Sequence, residues 1–204
     1  MATSDESREL IGPFPVGVDT DEGKDEYDRL RRRALWTMPS GLYVVGSGGV
    51  AGLIAGGPWQ NWSVGGRLKP HFMTLNWATQ VSFEPKQLGI GVEHGALTHR
   101  LITEGGHFTL NTITRDDRAI IRKFTKPVEI DEGAGTANGF AFHDAPSGTP
   151  ILDQAPAWFD CALRQSVEVG DATFFIGEIL ACGFQLAEDT PVLRMEDTRM
   201  NYGG

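Results

Sequence analysis

Two runs rich in apolar and β-prone residues, Ala157 to Val169 and Ala172 to Phe184, are separated by Gly170-Asp171 alone. Only antiparallel strands can be joined across two residues, and Gly supplies the positive φ that such a turn demands, so the pair reads as a long β-hairpin. The same signature recurs at Gly41 to Gly46, Phe72 to Ser82, Leu88 to Val92, His107 to Ile113 and Val192 to Tyr202. Helical patterns are short. One spans Glu26 to Trp36 and is halted by Pro39; the others run Leu97 to Glu104, closed by Gly105-Gly106, and Asp116 to Phe124. About seven strands, two or three short helices and no βαβ alternation predict a mainly β chain, an antiparallel barrel rather than a doubly wound sheet.

The 204 residues suffice for one sizeable core, hence one domain. The formal net charge is −9, and Met1 to Asp28 holds nine acids against two bases, so the rest is nearly neutral. This balance argues against nucleic acid or an anionic membrane as the main partner. Residues 1–27 are polar and broken by Gly12-Pro13-Phe14-Pro15, which predicts a flexible acidic arm ahead of a domain over 28–204. The opening MATSDESREL has no apolar run, and no stretch reaches the roughly 18 apolar residues of a membrane span, so a soluble cytoplasmic protein is expected. Cys161 and Cys182 are too few for a disulfide framework. The histidines at 71, 94, 99, 107 and 143 show no metal-ligand spacing; His94 and His99, five apart, would not share a helix face, and no GxSxG elbow is present. No metal site and no catalytic side chain are expected.

Gly46-Ser-Gly48-Gly-Val-Ala51 follows an apolar run and fits a dinucleotide fingerprint, but Gly56-Gly57-Pro58 leaves no room for its helix. The acid expected some 20 residues on is missing too, since no Asp or Glu lies between Asp28 and Glu84. That acid-free stretch carries six bases, which would welcome an anionic ligand or face the acidic arm. Between Gly48 and Pro70 seven of 23 residues are Gly, beside Trp59 and Trp62. This insertion reads either as a lid over a ligand or as a loop whose tryptophans cover the barrel end.

Two segments have the chemistry of a site for a polar, phosphorylated heterocycle. In Met73 to Pro85, small hydrogen-bonding side chains (Thr74, Asn76, Thr79, Gln80, Ser82) stand among Trp77, Ala78 and other apolar residues, where a purely structural strand would carry Val or Ile. At Ala96-Leu97-Thr98-His99 a helix begins, so free N–H groups, the helix dipole and a hydroxyl converge on an anion site, or Thr98 simply caps the helix.

These stretches, with Trp36 to Val45, Val92 to Ile102, Gly106 to Ile113, Gly148 to Leu152 and Val169 to Ile179 in the same order, resemble the flavin reductase-like family of FMN-binding split barrels, over about 170 residues. The resemblance implies an antiparallel, Greek-key split β-barrel, a homodimer with FMN, or sometimes FAD, at its subunit interface, and NADH or NADPH as electron donor. It also implies a partner monooxygenase that receives the reduced flavin. By the same resemblance Thr74, Asn76, Trp77 and Ala78 line the flavin ring, Thr79, Gln80 and Ser82 approach the ribityl chain and phosphate, and His94, Ala96, Thr98 and His99 surround the phosphate-binding helix start. The chain departs from the family in two places. Gly170-Asp171 is followed by Ala172 where the family often has His, and the Gly48 to Pro70 insertion is long. The first departure leaves open an FMN-holding electron-transfer or oxidase flavoprotein that is not reduced directly by nicotinamide.

Overall fold

A computed structural model describes residues 20–54, 58–59, 61–131 and 133–198. The described residues fall into two compact units, divided between Pro39 and Ser40. In the first, helix α1 (Asp21–Leu35) is capped by the Thr20 hydroxyl, which accepts the Gly23 N–H at 3.2 Å. Asp21 and Glu22 in its first turn and Arg32 and Arg33 in its last complement the helix dipole, and Glu26–Arg29 and Asp28–Arg32 pair along its surface. The helix therefore starts five residues before the expected Glu26, and residues 21–27 of the expected arm are helical. Acids that look like a solvating tail act here as partners of the helix dipole and of basic side chains. The remainder of that arm, residues 1–19, lies outside the described residues, as does 199–204.

The second unit runs β1 (Tyr43–Ser47), β2 (Ser63–Val64), β3 (Arg67–Leu68), β4 (His71–Leu75), β5 (Ala78–Phe83), β6 (Lys86–Glu93), α2 (Leu97–Gly105), β7 (His107–Thr112) and α3 (Arg118–Lys123). It continues with β8 (Ile130–Asp131), β9 (Thr136–Ala137), β10 (Phe140–Asp144), β11 (Pro150–Leu152), β12 (Ala157–Val169), β13 (Ala172–Phe184) and a single 3-10 turn, Met195–Asp197. Seven strands form one antiparallel sheet in the order β4-β1-β7-β12-β13-β6-β5. The β12–β13 hairpin at its centre turns at Gly170-Asp171, with Gly170 at φ 62°.

The sheet is curled by its own connectivity. Its two edge strands, β4 and β5, are consecutive in the chain and separated by Asn76-Trp77 only, so the edges approach within about 11 Å at that corner. The result is a split barrel, open along the remainder of the β4 and β5 edges. The expected single strand over 72–82 is thus two strands. The Asn76 carbonyl accepts the Ala78 N–H at 3.0 Å, a tight turn that sends the chain from one edge to the other.

The curled sheet encloses Val45, Leu75, Leu88, Ile90, Val92, Phe108, Leu110, Cys161 and Phe175, and Ile102 of α2 joins this cluster. Burial pushes the Cys161 thiol far above its ordinary range, which makes it an inert core residue. A second cluster, Val50, Ile54, Leu68, Leu97 and Leu101, lies beneath the glycine-rich insertion, with Trp59 and Trp62 packed against it. A small sheet, β11-β10-β9-β8, was not foreshadowed by any long apolar run. The strand expected over 192–202 is absent as far as Thr198. Val192 and Arg194 make isolated bridges to Thr114 and Gly41, and Asp197 accepts the Arg194 N–H at 3.0 Å, which winds the segment into the 3-10 turn. After β1 the chain passes through Gly48 and Gly49 at φ 76° and 73° without forming a helix, so the dinucleotide fingerprint has no structural counterpart.

Candidate functional site

The corner between β4 and β5 brings the first group of expected site residues together. Thr74 is buried against α3 and is committed, since its hydroxyl donates to the Ile121 carbonyl at 2.8 Å and its N–H to the Phe124 carbonyl at 3.0 Å, tying β4 to α3. Asn76 is buried at the corner. Trp77 is half exposed and lies on Gly91 of β6, where a Cβ would come within 3.0 Å of the indole ring. Glycine there lets an aromatic face rest directly on the backbone. Ala78 packs on the barrel core, whereas Thr79 and Gln80 are exposed. The Gln80 amide donates to the Ser82 carbonyl at 3.1 Å across a bulge in the β5–β6 ladder. Exposed hydroxyl, amide and backbone groups beside an open aromatic face suit a flat, polar heterocycle.

The second group gathers at the start of α2. The Gly91 N–H donates to the Trp77 carbonyl at 2.9 Å, and β6 ends two residues later at Glu93, so the corner and the helix start share one end of the barrel. Ala96, in extended conformation, occupies the N-cap and has no side chain to accept from the first turn. The leading N–H groups of α2 are therefore available to an anion, and no acidic residue lies in that turn. Thr98 is wholly buried, and its hydroxyl has no hydrogen-bond partner among the described residues. It does not cap the helix. Its partnerless hydroxyl and the uncapped turn fit a phosphate group held by the N–H groups of α2.

His94 and His99, both expected around the start of α2, meet edge to face with ring centroids 5.4 Å apart. They share no helix face: His94 sits in the turn between β6 and α2 and only His99 is helical. His99 Nε2 stands 2.8 Å from Thr173 Oγ1, Thr173 donates to Glu168 at 3.0 Å, and the other Glu168 oxygen is 2.7 Å from His94 Nε2. Burial first, then the neighbouring His94, pushes the His99 pKa below its ordinary value. The His94 N–H also donates to the Asp171 carbonyl at 3.0 Å, so an imidazole stands at the hairpin tip although residue 172 is Ala. Glu168 and Thr173 escaped the sequence reading because neither belongs to a motif; only the hairpin register, Glu168 opposite Thr173, hints at their pairing. Among the described residues no three His, Cys, Asp or Glu side chains are grouped to hold a metal ion, and no helix is long and apolar enough to cross a membrane.

A family model described as a flavin reductase like domain matches residues 35–203. The chain belongs to that family. The NADH-dependent flavin reductase StyB of Pseudomonas fluorescens is 32% identical to this flavin reductase like domain over 113 residues, 55% of the chain and 62% of the relative's own length. Among solved structures, the NADH:FAD oxidoreductase of Streptomyces globisporus in complex with NAD and FAD fragments superposes with a TM-score of 0.60 at 26% identity, covering 79% of this chain and 83% of that one. The styrene monooxygenase flavin reductase of Pseudomonas putida gives a TM-score of 0.57 at 26% identity over 76% and 87%. In this flavin reductase like domain the insertion between β1 and β4 shares a core with α2, because Val50, Ile54 and Leu68 cluster with Leu97 and Leu101 of the helix that opens with the candidate phosphate site, and Trp59 and Trp62 pack against that cluster.

Proposed function

We propose that the protein is an NAD(P)H:flavin oxidoreductase that binds FMN, or FAD in its place, and passes the reduced flavin to a partner monooxygenase in the cytoplasm. The observation that carries this reading is the uncapped first turn of α2 with the buried Thr98 hydroxyl, which has no partner among the described residues, at the same end of the barrel as the open Trp77 corner. The family membership and the NAD and FAD fragments held by the Streptomyces relative support it.

In this reading Asn76, Trp77 and Ala78 border the ring, Thr79, Gln80 and Ser82 meet the ribityl chain, and Ala96, Thr98 and His99 surround the phosphate, with His94 beside them. Thr74 acts behind this surface by holding β4 against α3. The bound flavin supplies the hydride-accepting chemistry, taking hydride from the nicotinamide. The chain's own residues bind and orient it, and no side-chain acid or base is needed. The exposed β5 edge supports a homodimer in which a second copy completes the flavin site.

The test is to load the purified protein with FMN and mix it anaerobically with NADH or NADPH in a stopped-flow instrument. Rapid loss of the oxidised flavin spectrum is expected. A flavin that binds but stays oxidised would favour the electron-transfer alternative, to which Ala172 at the hairpin tip lends weight.

A further inference from the structure

The hydrogen bonds between the hairpin tip and α2 have only one consistent set of proton positions. A carboxylate can only accept, so the single hydroxyl proton of Thr173 goes to Glu168, 3.0 Å away. The Thr173 oxygen then has only lone pairs left for His99 Nε2 at 2.8 Å, which must bring the proton. His94 Nε2, 2.7 Å from the other Glu168 oxygen, must bring one as well. One exposed carboxylate thus orients two imidazoles, one directly and one through a buried hydroxyl. His99 lies in the first turn of α2, directly after Thr98, and its ring rests on Phe175 of the barrel core at 5.1 Å. His94 precedes the same turn.

We propose that Glu168 is a positioning residue for the anion site: through Thr173 it fixes His99 in the Nε2–H form and through His94 it holds the incoming chain, so that the N–H groups opening α2 stay aimed at a phosphate. This rests on the reading of α2 as the flavin phosphate site.

The sign of the effect separates positioning from charge. Removing a carboxylate beside an anion site should, by electrostatics alone, tighten anion binding. Glu168→Gln removes the charge but keeps an oxygen to accept from Thr173, so it should leave His99 as Nε2–H and bind FMN as well as the parent or better. Glu168→Leu removes charge and acceptor together; positioning predicts a mixed His99 tautomer and FMN binding about ten-fold weaker, with riboflavin, which lacks the phosphate, weakened much less. Histidine ring nitrogens are read by 15N NMR, affinities by flavin fluorescence quenching, and melting curves confirm that this exposed position leaves the fold intact. FMN binding by Glu168→Leu that equals or exceeds the parent's, or a parent His99 in the Nδ1–H form, overturns the proposal. A parent that binds no FMN instead fails the flavin reading. The parent tautomer then decides the arrangement of the network by itself, with Nε2–H sustaining it and Nδ1–H overturning it.

Discussion

Thr98 and His71 both carry a polar atom sealed from water without a hydrogen-bond partner among the described residues, yet the two cases lead to different expectations. Replacing Thr98 by the isosteric Val deletes a hydroxyl that makes no bond, so the unliganded protein should melt at the same temperature or slightly higher. If that hydroxyl donates to a charged phosphate oxygen, about 1.5–3 kcal/mol is lost on the bound side, and FMN affinity measured by fluorescence quenching should fall roughly ten-fold or more. Unchanged affinity would remove Thr98 from the site. His71 lies on β4 opposite Ser47 of β1, and Trp62 meets its ring edge-on at 5.7 Å. Burial depresses its pKa to about 4. The unfolded chain takes up this proton near 6.5 and the native state only near 4, so between those values the unfolded state binds more protons and acid costs stability. This stability is intact above pH 6.5, and its loss reaches about 3 kcal/mol once pH has fallen through 4. His71→Phe should therefore flatten the fall in melting temperature between pH 6.5 and 4 relative to the parent; parallel curves would show that His71 does not drive it. The Thr98 hydroxyl stood out in sequence as a candidate at a helix start, but the sealing of His71 did not, because a histidine in a strand has no signature that tells sealed from exposed, and the same holds for the His94–His99 contact.

At the scale of elements, legibility followed length. The bounds and turn of the hairpin β12–β13 were readable to the residue, since two thirteen-residue strands flank a Gly-Asp turn, although the shifts of register at Asp160/Cys161 and Leu163/Gln165 were not. The break at Asn76-Trp77 was not, because the residues on both sides are equally β-prone and only the closure of the sheet requires a corner there. Strands β8, β9 and β11 have two or three residues each, too few for any periodicity. The chemistry of the candidate site was better marked than its architecture, because hydroxyl and amide side chains are unusual in a strand wherever they point. Close approach within the barrel offers a direct check. A Cβ on Gly177 of β13 would lie 2.6 Å from the Phe108 ring and 2.9 Å from Cys161 Cβ, both buried in the core, so Gly177→Ala should destabilise by about 1–3 kcal/mol in chemical denaturation. The insertion is a second check. Trp59 and Trp62 pack against the cluster that the insertion forms with Leu97 and Leu101 of α2, so replacing both by Ala should lower the melting temperature by several degrees. A lid over the flavin would instead show faster flavin exchange or altered nicotinamide kinetics with little loss of stability. The two outcomes are separable because exchange is followed on the flavin and melting on the empty protein.

For the whole molecule the outstanding feature is an uncovered edge. Strand β5 ends the seven-stranded sheet, and most of its residues are exposed on either face: Val81 is half exposed and Phe83 is 84% exposed. Trp77 at the corner and Val167 and Val169 near the hairpin tip add further exposed apolar surface. A free strand edge with apolar side chains is a template for another chain, and stable proteins cover it, shorten it or charge it. Here β5 is six residues long and carries no charged side chain, and its bulge at Gln80–Ser82 still leaves Val81 and Phe83 exposed, so covering by a second chain is the expectation. The candidate ring-binding groups stand on this same strand and its corner, open on one side, as half of a shared site would be. The expected particle in light scattering is therefore a dimer, twice the 22.2 kDa chain mass. Phe83→Asp introduces a charge at the most exposed apolar position, where the isolated chain has no packing to lose, so the fold should survive while the dimer dissociates. If the flavin is shared between copies, FMN affinity should fall together with dimerisation and recover as protein concentration rises. A parent protein that scatters as a monomer at working concentration would sink the dimer. A monomeric Phe83→Asp variant that binds FMN as tightly as the parent would show that each chain holds its flavin alone, and would move the ring from the β5 edge toward the end of the barrel where α2 begins.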